Sequence, residues 1–214
     1  MGESAPGMSG PYPYPASMPR PARDLPECCI FHVTARGNDR RRIFADACDR
    51  RRFLRLIGQA MHRFDVKALA YCLMDNHYHF IVHAQLEDLS KAMRYVNAGY
   101  ALGFNRRHGA SGHLFQGRFH AVLIDADEYL FRASTYAELN PVRAGLVAHP
   151  ADWAWSSYRV HVGSEPAPIW LDVDMLHRHL LGHDICGVAD RRRAEEWYAG
   201  LIDLEGHRMP LPGR

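Results

Sequence analysis

The side chains best suited to chemistry are two histidines and one tyrosine. His77 and His79 flank Tyr78 at the start of an apolar run, His77 to Ala84 (HYHFIVHA), whose aromatic and β-branched content predicts a strand. Side chains alternate along a strand, so both imidazoles leave one face while Tyr78 leaves the other. Such a pair suits a shared divalent metal ion, and it equally suits a surface or hydrogen-bonded histidine pair. The spacing alone leaves both readings open. His83 falls on the same face but too far along to join them.

The tyrosine lies further on. Asp127 to Asn140 reads as a helix stopped by Pro141, whose ring disfavours helical geometry in the preceding residue. Residues four apart share a helix face, so Arg132, Tyr136 and Asn140 form a polar stripe beside the apolar stripe of Leu130, Ala133 and Ala137. A tyrosine so placed is either a reactive group or a partly buried residue using its hydroxyl as a polar handle. By composition, Tyr95, Tyr100, Tyr129 and Tyr158 are rivals.

The elements that must hold these groups can be read in order. Met1 to about Pro26 is rich in Pro, Gly and Ser without an apolar period, and is expected to be a disordered leader. Cys29 to Thr34 predicts a first strand, ending in the turn residues Arg36-Gly37-Asn38-Asp39. Phe53, Leu56, Ile57, Ala60, Met61 and Phe64 predict a helix starting near Asp46. Val66 to Met74 predicts a second strand, joined to the third by Asp75-Asn76, two residues that tolerate positive φ and suit a tight hairpin. Leu89, Ala92, Met93, Val96 and Tyr100 predict a second helix, fading near Asn105 to Gly109. Phe115 to Ile124 predicts a fourth strand, bulged at Gly117.

The order β-α-β-β-α-β followed by a helix is an α+β, ferredoxin-like split β-α-β sandwich, with helices on one face of an antiparallel sheet and the other face open to a substrate. We expect one domain over residues 27–147. Residues 148–214, with Trp153, Trp155, Trp170 and Trp197 and a helix near Asp190 to Ile202, form a C-terminal extension packed on the core.

Composition is permissive. At 214 residues and 47% hydrophobic, the chain can bury one substantial core. A formal net charge of +2, from 26 basic and 24 acidic residues, announces no nucleic-acid partner, but arginines cluster at 40–42, 50–52, 106–107 and 191–193. Arginine is the cation suited to bidentate phosphate contact, and such clusters are equally ordinary solvated helix faces. The five cysteines show no CxxC pair, so they read as reduced thiols and give no support to a zinc hydrolase. The sequence shows no signal peptide, no apolar stretch of about twenty residues and no phosphate-binding Walker loop. The expectation is a cytoplasmic protein without membrane contact or nucleotide cofactor.

Five stretches together carry a resemblance. HVTARGNDRRRIF (His32 to Phe44), AYCLMDNHYHFIVHA (Ala70 to Ala84), GHLFQGRFHAVLID (Gly112 to Asp125), YAELNPVRAGLV (Tyr136 to Val147) and WSSY (Trp155 to Tyr158) resemble, in order, the REP-associated tyrosine transposases, a branch of the single-tyrosine HUH transposases. The resemblance covers about Arg20 to Tyr158, and more loosely the tail through Gly206. It implies that His77 and His79 are metal ligands, that Tyr136 is the nucleophile, and that Asn140 completes the metal site through its carbonyl oxygen. It also implies Mg2+ or Mn2+, and imidazole ligands favour manganese of the two.

The implied reaction is attack of Tyr136 on a phosphodiester of single-stranded DNA beside a hairpin of a repetitive extragenic palindrome. It gives a 5′-phosphotyrosyl DNA and a free 3′-hydroxyl. An unactivated phenol is a poor nucleophile near neutral pH, so help must come from the phosphate side. Arg36, Arg40, Arg118 and Arg143 lie within the family-like stretches and are expected near phosphates, while Phe115 or Phe119 either stacks an unpaired base or faces the core. Relatives commonly have Pro where this chain has Asp75, which would weaken DNA binding or touch the metal's water shell. The alternative reading is a domesticated, non-catalytic binder of hairpin DNA or RNA. The resemblance allows a monomer or a homodimer.

Overall fold

The computed structural model describes residues 28–207, so the expected leader lies outside the described residues. The chain forms β1 (Cys29–Arg36), α1 (Ala47–Arg63), β2 (Lys67–Leu73), β3 (His77–Ala84), α2 (Leu86–His108), β4 (His120–Ile124) and α3 (Asp127–Arg143), followed by α4 (Tyr158–His161), α5 (Val173–Leu181) and α6 (Val188–His207). The four strands lie in the order β2-β3-β1-β4 with every neighbouring pair antiparallel, which is the ferredoxin-like arrangement the element order predicts.

Alternation sorts the sheet. Tyr78, Phe80, Val82 and Ala84 of β3 and Phe31, Val33 and Ala35 of β1 enter the core beneath α1 and α2, where Phe53, Ile57, Val96 and Tyr100 meet them. Phe53 is fully buried, edge-on to Phe44 and Tyr100, and truncating such a ring costs about 3–5 kcal/mol. The carboxylate of Asp46 caps α1 by accepting from the backbone of Cys48 and Asp49 at 2.8 and 3.0 Å. Gly109 ends α2 in the left-handed conformation at φ 60°.

The opposite face is not open throughout. Leu69, Ala70, Ile81 and Ile124 are covered by Leu130 and Leu139 of α3, Leu176 of α5, and Tyr198 and Ile202 of α6. A bulge between Ala68 and Ala70 allows Leu69 and Ala70 to join this second core together. The C-terminal segment also seals the edge of β2: Leu73 N donates to Trp155 O at 2.8 Å, Ser157 N to Tyr71 O at 3.0 Å and Asp172 N to Ala68 O at 2.8 Å. His77 and His79 stand on the same face, beyond this second core.

Three boundaries differ from expectation. The turn falls at Asp75-Asn76, but neither residue has positive φ; among the described residues, the positive-φ residues with side chains are Asp39, Arg40 and Asp65. The hairpin is pinned from outside instead, since Asp75 O accepts from Ile43 N and Phe44 N, and Asn76 O from Gly37 N. Strand β4 begins only at His120, because Phe115 turns into the core against Tyr78 and Tyr100 while Gln116 N reaches Arg36 O at 2.9 Å. Helix α3 runs through Pro141 to Arg143, for a reason found in the site itself.

Candidate active site

The end of β3 meets the end of β1 with Arg36 opposite His77 and Thr34 opposite His79; His120 of β4 stands opposite Thr34 on the other side. Residues opposite one another share a face, so His79, Thr34 and His120 form a row across the sheet, with His32 two residues along β1. The His77 and His79 rings lie edge to face at 5.0 Å. His79 is 5% exposed and His32 6%.

Hydrogen bonds orient both rings of the pair. Asn76 Nδ2 donates to Arg40 O at 3.0 Å, which turns its Oδ1 to accept from His77 Nδ1 at 2.7 Å. A carbonyl oxygen only accepts, so His77 carries its proton on Nδ1 and keeps a bare Nε2. His79 Nδ1 lies 2.9 Å from His32 Nε2, and His79 Nε2 is buried with no hydrogen-bond partner among the described residues. Burial, reinforced by charge on neighbouring His32, His77, Arg36 and Arg143, holds His79 well below the usual imidazole range. Burial together with Arg36 lowers His77 to about 4, and burial with His120 lowers His32 to about 4. Neutral imidazoles with their second nitrogen already engaged are the form that ligates a metal. The orphaned Nε2 of His79 therefore fits a divalent cation.

Helix α3 crosses this end of the sheet. Tyr136 places its ring 5.6 Å from His79 and 6.3 Å from His32, both nearly edge to face, and the Arg143 guanidinium lies 4.5 Å from the Tyr136 ring centroid. Pro141 lacks the N–H that would reach the carbonyl of Ala137. Asn140 Nδ2 stands in, donating to Tyr136 O at 2.7 Å and to Ala137 O at 3.4 Å, which explains how the helix passes the proline. That commits the amide nitrogen and leaves Oδ1 as the end suited to a cation. Among the described residues no three His, Cys, Asp or Glu groups gather as a metal cluster.

Residues 27–139 match the family model for IS200-like transposases. The chain belongs to that family. The matched span contains His77, His79 and Tyr136 and stops just short of Asn140. A solved structure described as a REP-associated tyrosine transposase bound to a REP hairpin shares the fold of this transposase, at a TM-score of 0.57 and 20% identity, over 73% of this chain and 93% of that one. A transposase structure from Deinococcus radiodurans R1 matches at a TM-score of 0.38 and 12% identity, over 56% of this chain and 95% of that one, too distant to carry an argument. No curated protein matches the transposase sequence.

The expected cations divide. Arg36 and Arg143 stand at the histidine–tyrosine end, and Arg40 reaches it through its carbonyl. Arg118 does not: it lines a groove beside α2. Phe115 faces the core, and Phe119 is half-buried at that groove. Asp75 pairs with Arg42 at 3.3 Å and closely with Arg50. Arg50 is buried, its guanidinium within 5.6 Å of the rings of Phe44, Trp153 and Trp155. Two contributors escaped sequence reasoning, His32 and Asn76. The first had a visible signal: His32, Thr34 and Arg36 alternate with the apolar Phe31, Val33 and Ala35, which marks this part of one β1 face as polar.

Proposed function

We propose that this transposase cleaves and rejoins single-stranded DNA beside hairpin-forming repetitive palindromes, with Tyr136 as nucleophile and His77, His79 and Asn140 as metal ligands. The observation that carries this reading is the 5.6 Å approach of the Tyr136 ring to His79, whose Nε2 is buried without a partner. The hairpin enters from the REP-associated relative, which shares the fold and is itself bound to a REP hairpin.

In this reading the His77 and His79 Nε2 atoms and the Asn140 Oδ1 hold a manganese or magnesium ion. Bound there, such an ion would supply Lewis-acid polarisation of the scissile phosphate. Arg36, opposite His77, and Arg143, over the Tyr136 ring, would add positive charge at the phosphate. The phenolic oxygen of Tyr136 gives up its proton to solvent and forms a bond to phosphorus, the bond from phosphorus to the 3′-oxygen breaks, and that oxygen takes a proton from solvent. A free 3′-hydroxyl remains on one end and a 5′-phosphotyrosine on the other, and the retained ester energy allows the reverse transfer to join a new end. No nucleotide cofactor enters, no helix among the described residues is long and apolar enough to cross a membrane, and we place the reaction in the cytoplasm.

A labelled single strand containing a palindromic hairpin tests this reading. Cleavage should require manganese or magnesium, leave a 3′-hydroxyl that a polymerase extends, and disappear in His77→Ala and His79→Ala, while hairpin affinity largely persists through phosphate contacts. Persistence of cleavage in either histidine variant would overturn the ligand assignment. Tight hairpin binding by the unsubstituted chain without cleavage would favour a domesticated binder.

A further inference from the structure

Between α2 and residues 112–119 lies a groove of about 820 Å³, on the side of the sheet away from the histidines. Its lining is apolar in the middle, where Met93, Ala98, Ala101 and Leu114 contribute, and cationic at the rim, with Lys91, Arg94 and Arg118; it contains no acidic side chain. Lys91 pairs with Asp88 at 2.8 Å, whereas Arg94 and Arg118 are exposed and make no ion pair among the described residues. Phe119 is half-buried at the lining, and Asn97, whose Oδ1 accepts from the Tyr78 hydroxyl at 2.9 Å, keeps its NH2 as a donor.

The groove is joined to the active site by backbone. Gln116 N donates to Arg36 O and Asn38 N to Leu114 O, both at 2.9 Å, and Gly37 bridges to Phe115. Arg36 is the residue opposite His77. A Cβ on Gly37 would fall 2.1 Å from the Arg41 carbonyl oxygen, so the chain turns this corner only with glycine. A strand leaving the histidine end past Arg36 therefore meets the groove wall on rounding the end of the sheet.

We infer that this groove seats unpaired nucleotides of the DNA strand that continues from the cleaved bond. An apolar trough with an aromatic wall, amide donors and two exposed arginines at its rim matches what single strands offer: stacking faces, base edges and phosphates in one run. The inference rests on the proposed function, since it takes the strand to be the one presented to Tyr136.

The test uses the full chain carrying Tyr136→Phe, so that no turnover occurs, and a mixed-sequence single-stranded DNA of about 20 nucleotides substituted with 5-iodouracil, longer than most single-strand footprints. Ultraviolet crosslinking followed by peptide mapping should place adducts on Lys91 to Ala101 and on His113 to Phe119. Arg94→Glu should weaken binding of the unmodified strand at least tenfold and reduce its salt dependence by about one phosphate. Phe119→Ala should weaken binding without changing the salt slope. A blunt duplex of the same length should be affected less by both. Crosslinks confined to other peptides, or unchanged affinity in both variants, would overturn the inference. Stronger crosslinking by RNA of the same sequence, or loss of a self-associated species in Arg94→Glu together with groove peptides free of DNA crosslinks, would do the same by assigning the groove to another occupant. Groove crosslinks in a chain that never cleaves would keep the groove and reject the nuclease. Tyr136-dependent cleavage without groove crosslinks would do the reverse.

Discussion

His32 Nε2 lies 2.9 Å from His79 Nδ1 in a buried corner where β1 and β3 pair, and the remaining nitrogen of His79 has no protein partner among the described residues. One ring thus holds another in place with its second nitrogen left for a ligand. Such outer partners of metal-binding histidines typically carry 10–100-fold of the affinity. His32→Ala should weaken Mn2+ binding by about that factor, read from the free Mn2+ signal by electron paramagnetic resonance, while Asn at the same position, able to hydrogen-bond, should recover part of it. Equal affinity in His32→Ala and the unsubstituted protein would reduce His32 to a packing residue.

Asn76 performs the parallel task for His77. Because Arg40 O fixes the amide, Asn76→Asp keeps the acceptor for His77 Nδ1 and Asn76→Ala removes it. Metal affinity should persist in the first and fall about tenfold in the second. A similar fall in both would show that the amide donor to Arg40 matters more than the acceptor.

The charge of Asp75 serves stability. Asp75→Ala leaves the guanidinium of Arg50 inside an aromatic cage without its carboxylate. Breaking a buried pair from one side costs about 3–5 kcal/mol, and the lower end applies because Asp75 is about one-third exposed. Urea unfolding should show that loss, and Asp75→Ala combined with Arg50→Met should regain much of it. A shift below about 1 kcal/mol would place the pair among ordinary surface bridges.

Stability should peak near pH 6.5. Burial raises Glu138 to about 8, although Ser157 and Tyr198 donate to it. Its folded pKa lies above the ordinary carboxylate value, so the stability it contributes is full at low pH and is lost as pH rises towards 8. Burial lowers His177 to about 4 and His161 to about 3, so their contribution is full above the ordinary imidazole pKa and is lost as pH falls below it. Unfolding in metal-free buffer should therefore weaken on both sides, and Glu138→Gln should flatten the alkaline side between pH 6.5 and 8. An unchanged alkaline slope in that variant would contradict the buried-carboxyl reading.

Much of this was legible in the residues. The bounds of β3 and the entry of α1 follow from periodicity and the Asp46 cap, because those signals are local. The elements that were misread depend on distant partners. Phe115 to Phe119 has strand-like composition, yet Phe115 is drawn into the aromatic core by Tyr78 and Tyr100. Pro141 reads as a helix stop until the side chain of Asn140 is seen beneath it. In the site, His77, His79 and Tyr136 could be singled out by type and spacing, whereas His32 and Asn76 act through partners that only folding brings together. Asp75 stood out because relatives commonly have Pro there, and nothing local reveals that it pairs with Arg50, 25 residues away.

The central claim is that Tyr136 becomes covalently joined to DNA. Incubating the transposase with Mn2+ and labelled single strands bearing palindromic hairpins, then denaturing, tests it directly. The expected result is a labelled protein band that resists denaturation, maps to the peptide containing Tyr136 by mass spectrometry, and is absent from Tyr136→Phe. A band of equal strength in Tyr136→Phe, or one mapping to another tyrosine, would contradict it.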